Sequence, residues 1–273
     1  MSIQPLSADL TSAVLAYLGV PKAPPTLALL DTLIEAYTRT VPWESAFRIA
    51  RRARTENTAD CPRWPETFWQ DAIERGGGGT CFESNYAFFR LLLALGYDGY
   101  LTINNMGAQV GCHTAIVLNL DGQRWLADVG LPLFISLPLD SDRPTTRPHP
   151  LATYTVTPDG EGRYTIERSL HPNPYCFTLI DRPVEDAAYR AATTEDYGPG
   201  GLFLNRVIVN KVIDGQVWRF NSAESPLHLE SFHDGERTDH PITGDPSETV
   251  SRHFGMDVET VCAALAVVQR SVI

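Results

Sequence analysis

Residues 113–130 read HTAIVLNLDGQRWLADVG. Two apolar runs, Thr114 to Asn119 and Arg124 to Val129, flank Asp121-Gly122, a dipeptide that favours a tight hairpin turn. A two-residue turn pairs Leu120 with Gln123, and the ladder then sets Asp128 opposite Ala115. Side chains alternate faces along a strand, so His113, two positions beyond Ala115, shares the face of Asp128. Diagonal neighbours of this kind lie roughly 7–8 Å apart, within reach of an imidazole and a carboxylate. A lone histidine at a strand start is usually structural. An aspartate inside an apolar run is harder to dismiss, because a buried carboxylate needs a partner. The hairpin therefore predicts antiparallel β-structure in mid-chain and a His113–Asp128 contact. A carboxylate so placed fixes the tautomer of the imidazole and stabilises the imidazolium, so that the other ring nitrogen can take a proton from a nucleophile.

A nucleophile stands upstream, in Arg75-Gly-Gly-Gly-Gly-Thr-Cys81-Phe82-Glu83-Ser84-Asn85. Cys81 falls between a glycine-rich turn and the start of an apolar helix. The first turn of a helix offers free N–H groups and a partial positive charge, and both favour a thiolate over a thiol. Most cysteines are simply small buried residues. Four consecutive glycines shift that balance, because they pack nothing and need a reason such as an unusual turn or close approach of a ligand. No Gly-Lys-Ser/Thr follows them and no β-branched strand precedes them, so a phosphate loop is a poor reading. Cys112 is the rival thiol; on a strand it faces away from its neighbour His113.

Working outward, the first hundred residues read as helical. Ser7 caps a segment to Tyr17 that is closed by Gly19 and Pro21, and Thr26 to Thr38 repeats the apolar spacing. Pro65 begins a third helix, which ends before the glycines, and Cys81 a fourth, which stops at Gly96. After Gly96 the period shortens: Tyr100 to Asn104 reads as a strand, and hairpins form around Asp159-Gly160 and Asp214-Gly215. Residues 141–150 read as a polar, proline-rich loop, and Ser247 to His253 and Val258 to Gln269 return to helix. Helices, then antiparallel strands, then strand and helix together imply an α+β fold with segregated layers.

The chain has 273 residues and a formal charge of −11, from 22 Lys+Arg against 33 Asp+Glu. That acidity disfavours nucleic acid and anionic membrane surfaces as partners. No apolar run approaches the ~18 residues of a membrane span, and the first ten residues do not resemble a secretory signal. Five cysteines, Cys61, Cys81, Cys112, Cys176 and Cys262, cannot all pair and include no CxxC, which argues against structural zinc and for a reducing cytoplasm. His228, His233 and His240 lie near Glu224, Glu230 and Asp239, but in a polar, loop-like stretch without a defined ligand spacing. Solvated surface is the better reading there, and no metal is expected.

With these residues in place, a resemblance emerges. The Arg75-to-Asn85 segment resembles the Arg-Gly-Gly-X-Cys-Phe-Glu-X-Asn motif of the arylamine N-acetyltransferases. His113-Thr-Ala-Ile-Val-Leu resembles that family's catalytic-histidine strand, Asp128-Val129-Gly130 its Asp-Val-Gly segment, and Val41-Pro42-Trp43-Glu44 its Val-Pro-Phe-Glu. His253-Phe254-Gly255 resembles a weaker C-terminal signature. The resemblance implies a papain/transglutaminase-like Cys81-His113-Asp128 triad and ping-pong transfer of acetyl from acetyl-CoA, through a Cys81 thioester, to an arylamine or arylhydrazine nitrogen. It implies three regions: a helical bundle over 1–97 carrying Cys81, a β-barrel over 98–200 carrying His113 and Asp128, and an α/β lid over 201–273. Trp43, Gly130 and Leu131 are placed near the substrate by the same likeness, and Phe203 by its position before a strand near the lid.

Three features depart from the family pattern. Two extra residues separate Arg75 from Cys81, the Cys81-to-His113 spacing is short, and Leu131-Pro132 stands where Phe-Gly is common. Alternatives of other kinds stay open. They are an amide synthase-like acyltransferase using a larger natural-product acyl donor, a transglutaminase-like cysteine hydrolase, and a non-enzymatic binding module on the same scaffold.

Overall fold

The mid-chain hairpin forms in the expected register. In the computed structural model, which describes residues 3–171 and 173–270, Leu120 pairs with Gln123 and Ile116 with Ala127. Asp121 and Gly122 both take positive φ, 49° and 77°. Residues 1–2 and 271–273, the outer ends of the first and third expected regions, lie outside the described residues.

Among the described residues, five α-helices lie in the first third of the chain: α1 (Ala8–Leu18), α2 (Leu27–Thr40), α3 (Ala46–Arg54), α4 (Pro65–Arg75) and α5 (Cys81–Ala94). The Ser7 and Thr26 side chains accept the N–H of Leu10 and Leu29, so α1 and α2 begin where their caps predict. Leu30, Leu33, Ile34, Phe68, Trp69 and Phe88 of α2, α4 and α5 are fully buried against one another. Each such side chain contributes about 1.5–3 kcal/mol by leaving water.

Strands β2 (Asp98–Met106), β3 (Gln109–Leu120), β4 (Gln123–Ala127), β5 (Leu137–Leu139), β6 (Thr145–His149), β7 (Ala152–Pro158), β8 (Arg163–Arg168) and β9 (Tyr175–Ile180) form one antiparallel sheet. Its order is β5-β4-β3-β2-β9-β8-β7-β6, and β5 returns against β6 and β7, so the sheet is a nearly closed barrel. Residues 145–149 are thus a strand rather than part of a loop. As the last strand in the hydrogen-bonded order, β6 tolerates Pro148, which lacks an N–H.

Helix α6 (Asp186–Glu195) follows, and its Tyr189 packs into the helical core. The remaining strands are β10 (Ile208–Ile213), β11 (Gln216–Asn221), β12 (His228–His233) and β13 (Glu236–Pro241), ahead of helices α7 (Pro246–Phe254) and α8 (Val258–Arg270). The five-stranded sheet begins with a short strand from far upstream, β1 (Trp43–Glu44), paired with β10. Helix α3 buries Ala46, Phe47 and Ile49 with Val209, Phe220, Val261 and Leu265. The chain around 43–54 therefore packs with the C-terminal layer although it precedes α4 and α5 in sequence. Residues 228–241, expected as loop, form a hairpin around Asp234-Gly235. The polar residues of β13 are exposed on both faces of an edge strand, which is why the stretch reads as loop.

Candidate active site

Strand β3 and the end of β4 bring His113 and Asp128 together, with His113 Nε2 2.6 Å from Asp128 Oδ2. Both side chains are buried, and the Phe177 ring of β9 lies 4.5 Å from the imidazole. The other carboxylate oxygen, Asp128 Oδ1, accepts three N–H groups: Asn85 Nδ2 at 2.9 Å and the backbones of Gly130 at 2.7 Å and Leu131 at 3.0 Å. A carboxylate so held cannot rotate, and only Oδ2 is left for the histidine. Burial alone would disfavour the imidazolium. The facing Asp128 charge outweighs it, with hydrogen bonds to Asp128 and Cys81, and the His113 pKa is pushed up to about 10.

Cys81 is the first residue of α5, and Asn85 stands one turn further along the same face. Asn85 also donates to the Thr114 carbonyl at 2.6 Å and accepts the Val129 N–H at 3.0 Å. Thr114 Oγ1 donates to the Cys81 carbonyl at 2.9 Å, and Tyr189 Oη donates to Thr114 Oγ1 at 3.1 Å. The helix start and the hairpin are thus fastened at three adjacent positions. Cys81 Sγ lies 3.7 Å from the carbonyl oxygen of Cys112, whose own thiol turns to Gln109 O and is pushed up by burial. All five cysteines are free thiols.

Trp43, Gly130 and Phe203 meet beside Cys81. The indole Nε1 of Trp43 donates to the Gly130 carbonyl at 2.6 Å, and the Phe203 ring stands edge-on to the indole at 5.0 Å. Phe203 holds a φ of 59°, which a bulky residue rarely adopts. Gly130 lies so close to the Cys81 backbone that a Cβ on it would fall 2.4 Å from Cys81 Cα. Leu131 is half-buried, packs against the barrel core and joins the site through its backbone.

The sequence model of the N-acetyltransferase family matches residues 26–261. The chain belongs to that family. Sequence comparison with curated proteins finds no significant match. Several solved structures share the fold. The arylamine N-acetyltransferase from Salmonella typhimurium is 17% identical with a TM-score of 0.79, over 96% of this chain and 99% of that one. The Mycobacterium marinum arylamine N-acetyltransferase, solved in complex with CoA, is 17% identical at 0.78, over 95% and 98%. A Bacillus cereus arylamine N-acetyltransferase described as having a Cys-His-Glu catalytic triad is 18% identical at 0.74, over 92% and 100%.

Within this N-acetyltransferase the glycine run is a packing device. A Cβ at Gly76 would lie 1.8 Å from Gly255 O, and one at Gly78 1.7 Å from Pro42 O. Glu44 and Arg63 grip the same turn: Gly78 N–H donates to Glu44 Oε1 at 3.2 Å, and Arg63 Nη2 donates to Gly78 O at 2.6 Å. Arg63 also bonds Glu83 Oε2 at 2.6 Å, and Tyr197 Oη donates to Glu83 Oε1 at 2.6 Å. Burial works to raise both carboxyls. Arg63 overcomes it at Glu83, which is lowered, but not at Glu44, which stays raised. Arg75, the motif arginine, is instead half-exposed at the end of α4, paired with Asp71 and Asp257. Asn85 and Glu44 were visible inside the quoted motifs. Arg63, Phe177 and Tyr189 carried no signal in the sequence.

The polar residues of the C-terminal hairpin also converge, since His228, Glu230 and Asp239 offer ligand atoms within 4.8 Å of one another. Arg237 already fills that cluster, at 2.6 Å from Asp239 Oδ1, 3.0 Å from Glu230 Oε1 and 2.8 Å from His228 Nε2. Arg219 adds a second guanidinium on Glu230. Glu230 is fully buried rather than solvated, and arginine supplies the positive charge that a cation would bring.

Proposed function

We propose that this N-acetyltransferase moves an acetyl group from acetyl-CoA to the nitrogen of an arylamine or arylhydrazine, with Cys81, His113 and Asp128 as its triad. The single observation that carries the assignment is the buried His113–Asp128 pair packed against the helix that starts at Cys81. In the first half-reaction Cys81 Sγ attacks the thioester carbonyl as one half of a sulfur–imidazolium pair, because the raised His113 keeps its proton. The tetrahedral intermediate collapses, the bond to the coenzyme A sulfur breaks, and that sulfur leaves with a proton from His113. In the second half-reaction the amine nitrogen attacks the acetyl-Cys81 carbonyl, His113 removes a proton from nitrogen and keeps it, and Cys81 Sγ departs beside the restored imidazolium. Asp128 holds the ring and balances the imidazolium in each half. Backbone N–H groups at the first turn of α5 face the place where oxyanion charge develops.

In this reading the 1–97 region supplies the nucleophile, 98–200 the acid–base pair and 201–273 the cover. Trp43 and Phe203 form the apolar wall that receives the aromatic acceptor, and Gly130 and Leu131 border it through their backbone. Five free cysteines suit a reducing cytoplasm. Among the described residues no helix is long and apolar enough to cross a membrane. Incubation with acetyl-CoA should add one acetyl mass to the wild type and none to Cys81→Ala. An adduct that persists in Cys81→Ala would sink the triad. Coenzyme A release that ignores an added aromatic amine would favour hydrolysis instead.

A further inference from the structure

Helix α5 has a capping residue in capping backbone that does not cap, whereas the other uncapped helices start at Ser45 in helical backbone or at Trp64 and Glu185. Thr80 occupies its N-cap position in extended backbone, φ −85° and ψ 179°, yet its side chain makes no capping bond. Elsewhere Ser7, Thr26 and Asp245 each accept a first-turn N–H in the ordinary way. The Thr80 hydroxyl is occupied otherwise, accepting from Arg48 Nη1 at 2.8 Å. Arg48 comes from α3 and is 1% exposed. It is fixed from the far side by Asp196, through Oδ2 at 2.6 Å and the carbonyl at 2.5 Å, and its guanidinium lies over the Tyr197 ring at 4.5 Å. Its Nε has no acceptor, so a buried arginine is kept here although the site leaves one donor unsatisfied. A cation near a helix N-terminus opposes the helix dipole and needs a reason to be there.

We infer that Arg48 is a positioning residue for Cys81, acting through Thr80. By taking the hydroxyl, Arg48 Nη1 stops Thr80 from capping α5. The first-turn N–H groups and the positive helix end then stay unopposed beside the thiol, where negative charge appears on sulfur and then on the carbonyl oxygen. Were Arg48 absent, Thr80 is already in capping backbone and would turn its oxygen onto those N–H groups. Arg48 reaches neither substrate in this arrangement, so its removal acts on the acylation rate rather than on donor KM. The kinetic part of the inference rests on the acetyl-transfer reading, and the chemical part does not.

The test is a double-mutant cycle with two readouts: single-turnover release of coenzyme A from acetyl-CoA, and the rate of Cys81 alkylation by iodoacetamide followed by peptide mass. Arg48→Met is expected to slow both about tenfold, within the range of helix-terminus effects. In a Thr80→Val background, where no hydroxyl can return to the helix, the same Arg48→Met change should alter each rate less than twofold. If it still slows both about tenfold there, or if Arg48→Met alone reacts as fast as wild type, the inference is overturned. Because Arg48→Met strands Asp196, the cycle is repeated on Arg48→Met/Asp196→Asn, with thermal melts confirming the fold. The Thr80 dependence must survive in that pair. Alkylation that follows the pattern in a protein that fails to take acetyl from acetyl-CoA would refute the donor assignment and leave the role of Arg48 standing.

Discussion

Replacing Gly130 with alanine would set a methyl carbon 2.4 Å from Cys81 Cα, 2.6 Å from its Cβ and 2.6 Å from Asn85 Nδ2. Ordinary contact begins at 3.4 Å, so the Gly130 segment and the start of α5 must separate by about 1 Å. The segment cannot easily yield, because Trp43 holds its carbonyl and Asp128 Oδ1 holds its N–H. The displacement therefore falls on Cys81 and on Asn85, which fastens Asp128. A misplacement of about 1 Å at a reacting group lowers the rate on the order of a hundredfold, and overpacking costs about 1–3 kcal/mol of stability. Gly130→Ala should thus acylate roughly a hundredfold more slowly, with a melting temperature a few degrees lower but a cooperative transition. Rapid-quench measurement of acetyl-Cys81 reads the rate. Gly200→Ala is the control, since a Cβ there meets nothing within 4 Å. A folded Gly130→Ala protein that acylates within threefold of wild type would show that the Asp-Val-Gly segment does not set the position of Cys81.

Three further outcomes follow from the same geometry. Arg63→Met strands the buried Glu44 and Glu83 and should cost about 3–5 kcal/mol in chemical denaturation; a loss under 1 kcal/mol would show that the ion cluster does not hold the turn. The raised His113 pKa means that the imidazolium–Asp128 pair stabilises the fold fully below about pH 6.5 and loses that effect as pH rises through about 10. The stability gap between wild type and His113→Gln should therefore narrow across that window in urea titrations, and a gap that widens contradicts the pairing. Trp43→Phe keeps the ring against Phe203 and removes only the donor to Gly130, so transfer should fall about fivefold, matching a bond of about 1 kcal/mol; an unchanged rate would remove Trp43 from the site.

Where a local rule dictated the outcome, the sequence was readable. The Asp121-Gly122 turn sets a ladder by counting, and Ser7, Thr26 and Pro65 mark helix starts through the bonds they make or lack. What stayed hidden depended on partners distant in the chain. Helix α3 carries four arginines, and nothing in their spacing singles out Arg48, which faces inward onto Thr80 and Asp196. Helix α6 buries only Tyr189 and Thr193, too sparse a stripe to register as periodic. The β12–β13 hairpin has the right turn, Asp234-Gly235, but polar strands, in which Arg237 pairs with Glu230 across the ladder and with Asp239 along its own strand, and these imitate a loop.

The two extra residues before Cys81 go with a motif arginine, Arg75, that lies apart from the buried carboxylate of the same motif, Glu83. Arg75 ends α4, and Gly76 closes that helix in the left-handed region with its N–H on Ala72 O. The chain must then pass beneath Pro42 and Phe47, where a Cβ at Gly77 or Gly78 would clash, before it reaches the helix start. An arginine at the end of α4 has been carried out to the surface, toward Asp257. The buried Glu83 still requires a cation, since an unpaired carboxylate at that depth would either take up a proton or unfold the turn. Arg63 meets the requirement from the loop that precedes α4, and with the same guanidinium binds the Gly78 carbonyl. The physical demand belongs to the space beside Glu83 and not to a spacing in the chain. A search for the arginine four residues before the cysteine would therefore miss it, whereas a search for the cation on Glu83 finds it.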